Sequence, residues 1–203
     1  MNRKIRILGT MLGGMLIVAS LAVPIALAQK QLKSQKNFRV VTDGTFYRSG
    51  QMTLLGIKQM VHDHGFKTVV TLRDSYVAGE PSPDLEEETW CRAQEIQYLR
   101  LTPMAWEPIH QGDEPPVAAN IRKYLGVLNK PESYPILVHC FAGIHRTGAY
   151  TALYRMEKEG WPLNRAIDEM RLLGYDRIDE EKDILGFLKA YKPGSLSLKA
   201  PMP

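Results

Sequence analysis

Residues 135–148 read Pro135-Ile136-Leu137-Val138-His139-Cys140-Phe141-Ala142-Gly143-Ile144-His145-Arg146-Thr147-Gly148. Ile136, Leu137 and Val138 form an apolar run with no polar face, as in a strand covered on both sides within a parallel sheet. From Thr147 onward, through Ala149, Tyr150, Ala152, Leu153 and Met156, the residues suit a helix. The glycine-containing loop between them therefore sits at a helix N-terminus. Unpaired backbone N–H groups and the positive end of the dipole gather an anion there. Cys140 stands at the strand end and Arg146 at the helix start.

This arrangement supports phosphoryl transfer. Several N–H groups in a tight loop make a concave nest that fits a tetrahedral phosphate. Arg146 adds two parallel charge-assisted hydrogen bonds to two phosphate oxygens. The same field favours thiolate over thiol at Cys140. A thiolate beneath a bound phosphoryl group attacks phosphorus in line and forms a phosphocysteine. The Thr147 hydroxyl is placed to hydrogen-bond the sulfur and help it leave in the second step.

Working outward, the strand into Cys140 is preceded by a helix begun by Pro116, with Val117, Ile121, Leu125 and Leu128 at core spacing. Two short strands, Phe38 to Val41 and Thr45 to Arg48, flank the turn Thr42-Asp43-Gly44. Thr53 caps a helix carrying Leu54, Ile57, Val61 and His64, stopped by Gly65. Lys67 to Leu72 is a buried strand. Asp84 starts a helix whose inward face is read as Leu85, Thr89, Ala93 and Ile96, and Ile96 to Leu101 is the next strand. After the signature helix, Leu163 to Leu173 is helical with Gly174 as its stop, and Asp179 caps a last helix carrying Ile184, Leu185, Leu188 and Tyr191. Strands alternating with helices, then a run of helices, predict an α/β domain with a mostly parallel sheet of about four or five strands flanked by helices.

The ends are different. Arg3, Lys4 and Arg6 precede an uncharged, mostly apolar stretch from Ile7 to Ala28 that ends in an A-x-A pattern. It reads as a signal peptide cleaved before Gln29, or as an uncleaved membrane anchor through residues 7–28. Both place the domain outside the cytoplasm of a bacterial-type cell, periplasmic or held at the membrane. Residues 29–37 read as a polar, basic linker, 38–192 as the catalytic domain and 193–203 as a loose tail.

The net charge is +4, and three of those charges belong to the N-terminal segment, which has no acidic residue. The basic balance therefore does not indicate nucleic acid. The two cysteines, Cys91 and Cys140, make no disulfide scaffold, and no paired Cys/His spacing suggests zinc. Cys91 reads as a small core residue, with redox pairing to Cys140 as the other reading.

Expelling an alkoxide or phenoxide needs a proton donor. The loop from Trp106 to Pro116 lies between a strand end and a helix start, so it opens on the carboxyl-end crevice. It offers Glu107, Asp113 and Glu114. Asp113 is the expected acid, with Glu107 as substitute.

His-Cys, five residues, then Arg-Thr-Gly resembles the signature of the cysteine-dependent protein tyrosine phosphatase superfamily. The wider chain is similar to the atypical dual-specificity phosphatases of plants and fungi and their bacterial relatives. The likeness runs through Phe38-Arg39-Val40-Val41, Gly44, Tyr47-Arg48-Ser49, Val69-Val70-Thr71-Leu72-Arg73, Glu107-Pro108, and Tyr134 to Gly148. It implies the dual-specificity phosphatase fold, no metal or cofactor, Cys140 as nucleophile and Arg146 as phosphate clamp. It also implies a cradle of Phe141, Ala142, Gly143, Ile144, His145 and Arg146. Members that act on highly phosphorylated inositols carry basic residues within this loop, whereas only His145 is titratable here. A cradle with fewer cations binds dense polyanions less well. The expected partner is a phosphorylated protein, phosphotyrosine first, or a small phosphomonoester, with inositol (pyro)phosphate as an alternative. A phosphate-docking pseudoenzyme is the competing class. An arsenate reductase or sulfurtransferase is the third, and the reductase would need Cys91 as resolving thiol.

Overall fold

The structure is a computed structural model and describes residues 18, 20, 22–24 and 34–196. Most of residues 1–28, read as leader or anchor, most of the linker and the end of the tail lie outside the described residues. Among the described residues no helix is long and apolar enough to cross a membrane.

Five strands form one sheet: β1 (Arg39–Thr42), β2 (Phe46–Ser49), β3 (Thr68–Thr71), β4 (Gln97–Arg100) and β5 (Ile136–His139). Their spatial order is β1-β2-β5-β3-β4. β1 and β2 are an antiparallel hairpin, and the other pairings are parallel. β5 is central, with Ile136 opposite Phe46 on one side and Thr68 on the other. Every residue of β5 is buried, as its apolar run requires.

Among the described residues, six α-helices cover the sheet: α1 (Leu54–His64), α2 (Leu85–Ala93), α3 (Val117–Leu128), α4 (His145–Glu159), α5 (Leu163–Leu172) and α6 (Lys182–Ala190). Strand alternation divides the core in two. Phe46, Val70, Ile136 and Val138 pack with α3 to α6, and the Phe46 ring stacks on Tyr154 with centroids 3.9 Å apart. Tyr47, Val69 and Leu137 point the other way, onto Ile57 and Met60 of α1 and Cys91 of α2. Each fully buried Val, Leu or Ile contributes roughly 1.5–3 kcal/mol, so the double layer fixes β5 and the end of the strand from which Cys140 emerges.

Two elements differ from the sequence reading. α2 turns Glu87 and Cys91 inward, while Leu85 is half exposed and Thr89 and Ala93 face solvent. Polar contacts decide this face: Glu87 is buried and accepts from the Tyr98 hydroxyl and the Gln51 amide. A hydrophobic periodicity cannot register a carboxylate that belongs inside. α6 begins at Lys182, and Asp179 does not cap it but accepts from Arg171 on α5. Thr53 does cap α1, accepting from the Gly56 amide at 3.1 Å, and Gly65 ends that helix at φ 66°.

Candidate active site

The loop of residues 140–146 joins β5 to α4 at the carboxyl end of the sheet. Four consecutive carbonyls of this loop are held from outside it. Phe141 O accepts from the Gln51 amide at 3.0 Å, and Ala142 O from Asn37 Nδ2 at 2.8 Å. Gly143 O and Ile144 O accept from Arg48 Nη2 at 2.8 and 3.4 Å. A trans peptide is planar, so an outward carbonyl aims the next residue's N–H the opposite way. The amides of Ala142, Gly143, Ile144 and His145 are thereby turned toward the loop interior. The Gly143 amide reaches Cys140 Sγ at 3.2 Å.

Glycine is required at the tightest point. Gly143 has φ 76°, and a Cβ there would lie 2.4 Å from Gly50 N and 2.5 Å from Ser49 C. The loop thus rests on the backbone that leaves β2, with bare glycine on both sides of the contact.

Cys140 is buried at the base of the loop. Burial alone would push its thiol up. Hydrogen bonds from the Thr147 hydroxyl and from the Thr147 and Gly143 amides, with the charge of His139, outweigh burial and lower its pKa. The Thr147 hydroxyl is itself buried and has no well-aligned partner among the described residues, which leaves it to the sulfur. Behind the cysteine, His139 Nε2 lies 2.8 Å from Glu87 Oε1, at an angle that gives the ring no aligned hydrogen bond. Burial would lower the imidazole's pKa, but the Glu87 and Asp84 carboxylates and the sulfur raise it.

Asp84, Glu87 and His139 bring three potential metal ligands within 4.8 Å of one another. Their oxygens are already engaged. Asp84 accepts from Thr71, Tyr98 and Arg100, with the Arg100 guanidinium 2.5 Å away, and Glu87 accepts from Gln51 and Tyr98. With Asp84 paired to a guanidinium and Glu87 beside the His139 ring, this is a buried ion-pair network.

Arg146 donates to Leu72 O at 3.2 Å and to the Tyr76 hydroxyl at 2.6 Å. It lines a cleft of about 490 Å³ with Arg73, Tyr76 and Phe141. The Phe141 ring is 62 % exposed, with Lys36 Nζ 3.6 Å and Arg73 Cζ 5.3 Å from its centroid. Neither Lys36 nor Arg73 has an acidic partner within salt-bridge distance among the described residues. His145 tilts over Tyr175, centroids 4.5 Å apart. Sequence reasoning did not find Asn37, Arg48, Gln51, Lys36 or Arg73 here. The available signal was Arg48 itself, which shares its strand face with the buried Phe46.

The acid loop is pinned at its root. Val117 N donates to Ala105 O, Asn120 Nδ2 donates to Thr102 O, and Trp106 is buried edge-on against Tyr150 and Phe187. A small cavity separates the root, at Thr102 to Met104, from Arg146. The three carboxylates go different ways. Glu107 lines a separate cleft against Lys182 and Phe187 of α6, and Glu114 pairs with Arg122. Asp113 lies in the exposed tip, its side chain without a hydrogen-bond or ion-pair partner among the described residues. Asp74 lines the Arg146 cleft too, but Thr102, Ser82 and the Ser75 amide all donate to it and hold its pKa low, which suits a carboxylate and not an acid.

Cys91 belongs to the core layer on the opposite side of the sheet from Cys140. Burial, with Glu87 and Glu88, pushes its thiol up to about 12. That environment does not suit a resolving thiol. At neutral pH iodoacetamide is expected to alkylate Cys140 in the folded protein and leave Cys91 unmodified, as peptide mass mapping would show. Equal labelling of the two would contradict the electrostatics described here.

A family model described as a DSP-PTPase phosphatase fused to NAD+ kinase matches residues 24–183. The OCA1 protein of Mycosarcoma maydis, whose name places it among tyrosine-protein phosphatases, is 30% identical over 139 residues, covering 66% of this chain and 78% of its own. The dual specificity protein phosphatase TpbA of Pseudomonas aeruginosa is 33% identical over 64 residues, 32% of this chain and 29% of its own length. The crystal structure of TpbA aligns with a TM-score of 0.57 at 24% identity, over 80% of this chain and 89% of that one. The catalytic core of the PP-IP phosphatase SIW14 from S. cerevisiae aligns with a TM-score of 0.58 at 22% identity, over 78% and 86%. With a family match over most of its length, the chain belongs to the dual-specificity branch of the cysteine-dependent protein tyrosine phosphatases and is an enzyme of that class.

Proposed function

We propose that the chain hydrolyses phosphomonoesters, phosphotyrosine on proteins foremost, through a phosphocysteine on Cys140. The supporting observation is the loop in which four consecutive carbonyls, Phe141 to Ile144, are held from outside while the sulfur takes amide hydrogen bonds at its base. The Cys140 thiolate attacks phosphorus and the P–O bond to the leaving group breaks. Asp113 gives its proton to the departing oxygen. Water then attacks the phosphocysteine, Asp113 takes a proton from it, and inorganic phosphate leaves as the sulfur regains its charge beside the Thr147 hydroxyl. Arg146 holds two oxygens of the group in transit.

Asp113→Asn is expected to lower kcat about 100-fold on phenyl phosphates, because general acid catalysis contributes roughly 10²–10⁴-fold. Glu107→Gln should stay within threefold of the parent. The reverse ranking would move the acid to Glu107.

A second reading is favoured by one feature. Lys36 and Arg73 bring to Phe141 cations that the signature itself lacks, so an inositol (pyro)phosphate is a substrate to test beside phosphopeptides. Release of phosphate from a panel of phosphopeptides, phosphoinositides and inositol phosphates decides between them. Activity on none, with retained phosphate binding, would favour the docking module. We further propose that the domain acts outside the cytoplasm, behind a leader or anchor at residues 1–28. N-terminal sequencing of soluble and membrane fractions tests this.

A further inference from the structure

Among the described residues Arg48 is the largest side chain with essentially no exposure, at 1 %. It points from β2 to the underside of the phosphate loop. One nitrogen, Nη2, serves both the Gly143 and Ile144 carbonyls, while Nε and Nη1 have no partner among the described residues. No carboxylate lies within salt-bridge distance of it among those residues. The charged groups around it come from four elements. Glu169 of α5 and the Cys140 sulfur favour its charge, while Arg39 of β1 and Arg155 of α4 oppose it. Glu169 is already committed, since Arg155 donates to it from both Nε and Nη2. Tyr175, whose buried hydroxyl is also unpartnered, closes the space beside Gly148 and Arg48.

A buried guanidinium without its own counter-ion is expensive and persists only where something repays it. We propose that Arg48 is a positioning residue for the anion. Its guanidinium turns the Gly143 and Ile144 carbonyls away from the pocket and supplies, from beneath the loop, a second positive charge to the thiolate and the bound phosphate. Two facts support this beyond the hydrogen bonds. Burial drives the pKa of Arg48 down to about 10, which still leaves it charged across the working range of a phosphatase. The amides following those carbonyls, of Ile144 and His145, belong to the stretch expected to meet phosphate oxygens. Arg146 clamps the anion from the cleft side, and Arg48 acts from the protein side without touching it.

The inference rests on the phosphatase reading of the loop, but its test does not need turnover. The rate of Cys140 alkylation by iodoacetamide is measured against pH, with and without inorganic phosphate, in the full chain and in Arg48→Gln and Arg48→Lys. Glutamine keeps a donor for the carbonyls and removes the charge, and lysine keeps the charge. In Arg48→Gln the phosphate concentration giving half protection is expected to rise about tenfold and the alkylation midpoint to move about one unit upward, as a lost nearby charge implies. Arg48→Lys should recover at least half of both shifts. A folded Arg48→Gln protein with unchanged protection and midpoint overturns the proposal. So does a lysine variant that loses as much as glutamine. Should Arg48→Gln fail to fold, the lysine variant carries the test alone: protection within about threefold of the parent supports the role of the charge, and a tenfold loss in a folded protein refutes it. If phosphate does not protect Cys140 even in the unaltered chain, the phosphatase reading fails first.

Discussion

Cys140→Ser is expected to reduce kcat by at least about 10⁴-fold while leaving phosphate and phosphotyrosine binding in place, in line with what the loss of a nucleophile costs other covalent enzymes. Serine keeps the shape of the base of the loop but not its acidity. The Cys140 thiol is lowered by the Thr147 hydroxyl, two amides and the His139 charge against the penalty of burial. The same groups would have to ionise a hydroxyl far less acidic than any thiol, and cannot. The sign of the pH effect follows. In the parent, kcat/KM rises with pH through a midpoint below that of an ordinary thiol, because only the thiolate attacks. Single-turnover release of nitrophenolate in the variant, with phosphotyrosine peptide retention on a column, is the paired measurement. Measurable turnover in the serine variant would mean that another residue carries the displacement.

Gly143→Ala is expected to be nearly as damaging for a different reason. A methyl group there meets Gly50 N at 2.4 Å and Ser49 C at 2.5 Å, backbone atoms of the last residue of β2 and of the one that follows it. Neither can move without shifting the parallel register of β2 on β5, in which Ser49 pairs with His139. The residue also sits at φ 76°, where a side chain adds strain of about 1–3 kcal/mol. Relief comes from lifting the loop, which breaks the Arg48 bonds to Gly143 and Ile144 and spreads the amides. A loss of about 10³-fold in kcat/KM and a destabilisation of about 3 kcal/mol or more are expected, from strain and overpacking together. Urea unfolding followed beside activity checks both. A fall in activity with unchanged stability would mean that the loop relaxes freely and the contact with Gly50 is loose.

The fold was legible where burial is two-sided and apolar. Ile136 to Val138, Val69 and Val70 declared themselves as inner strands, and the spacing from Cys140 to Arg146 declared the loop. What escaped was polar burial. Glu87 falls off the face read as inward for the helix that Asp84 starts, yet it sits inside against His139 and Tyr98. Arg48 reads as the end of an ordinary hairpin strand, yet its face is that of Phe46. Periodicity assigns a charge to solvent by default, and only the tertiary partners of these two residues overrule it. Lys36 and Arg73 escaped for another reason. They lie 105 and 68 positions from Phe141, and nothing local announces that the chain returns to that ring.

Asn37 gives the segment before the first strand an influence that its position does not suggest. This residue, at φ 49°, precedes the first strand, and its side chain holds the carbonyl of Ala142 while the carbonyl of its neighbour Lys36 receives the Gly50 amide at 2.7 Å. A protein trimmed to begin at Phe38 would keep its two hydrophobic layers and lose a clasp on its own reaction centre. A displacement of Lys36 and Asn37 would therefore be felt at the nucleophile before it was felt in the rest of the domain.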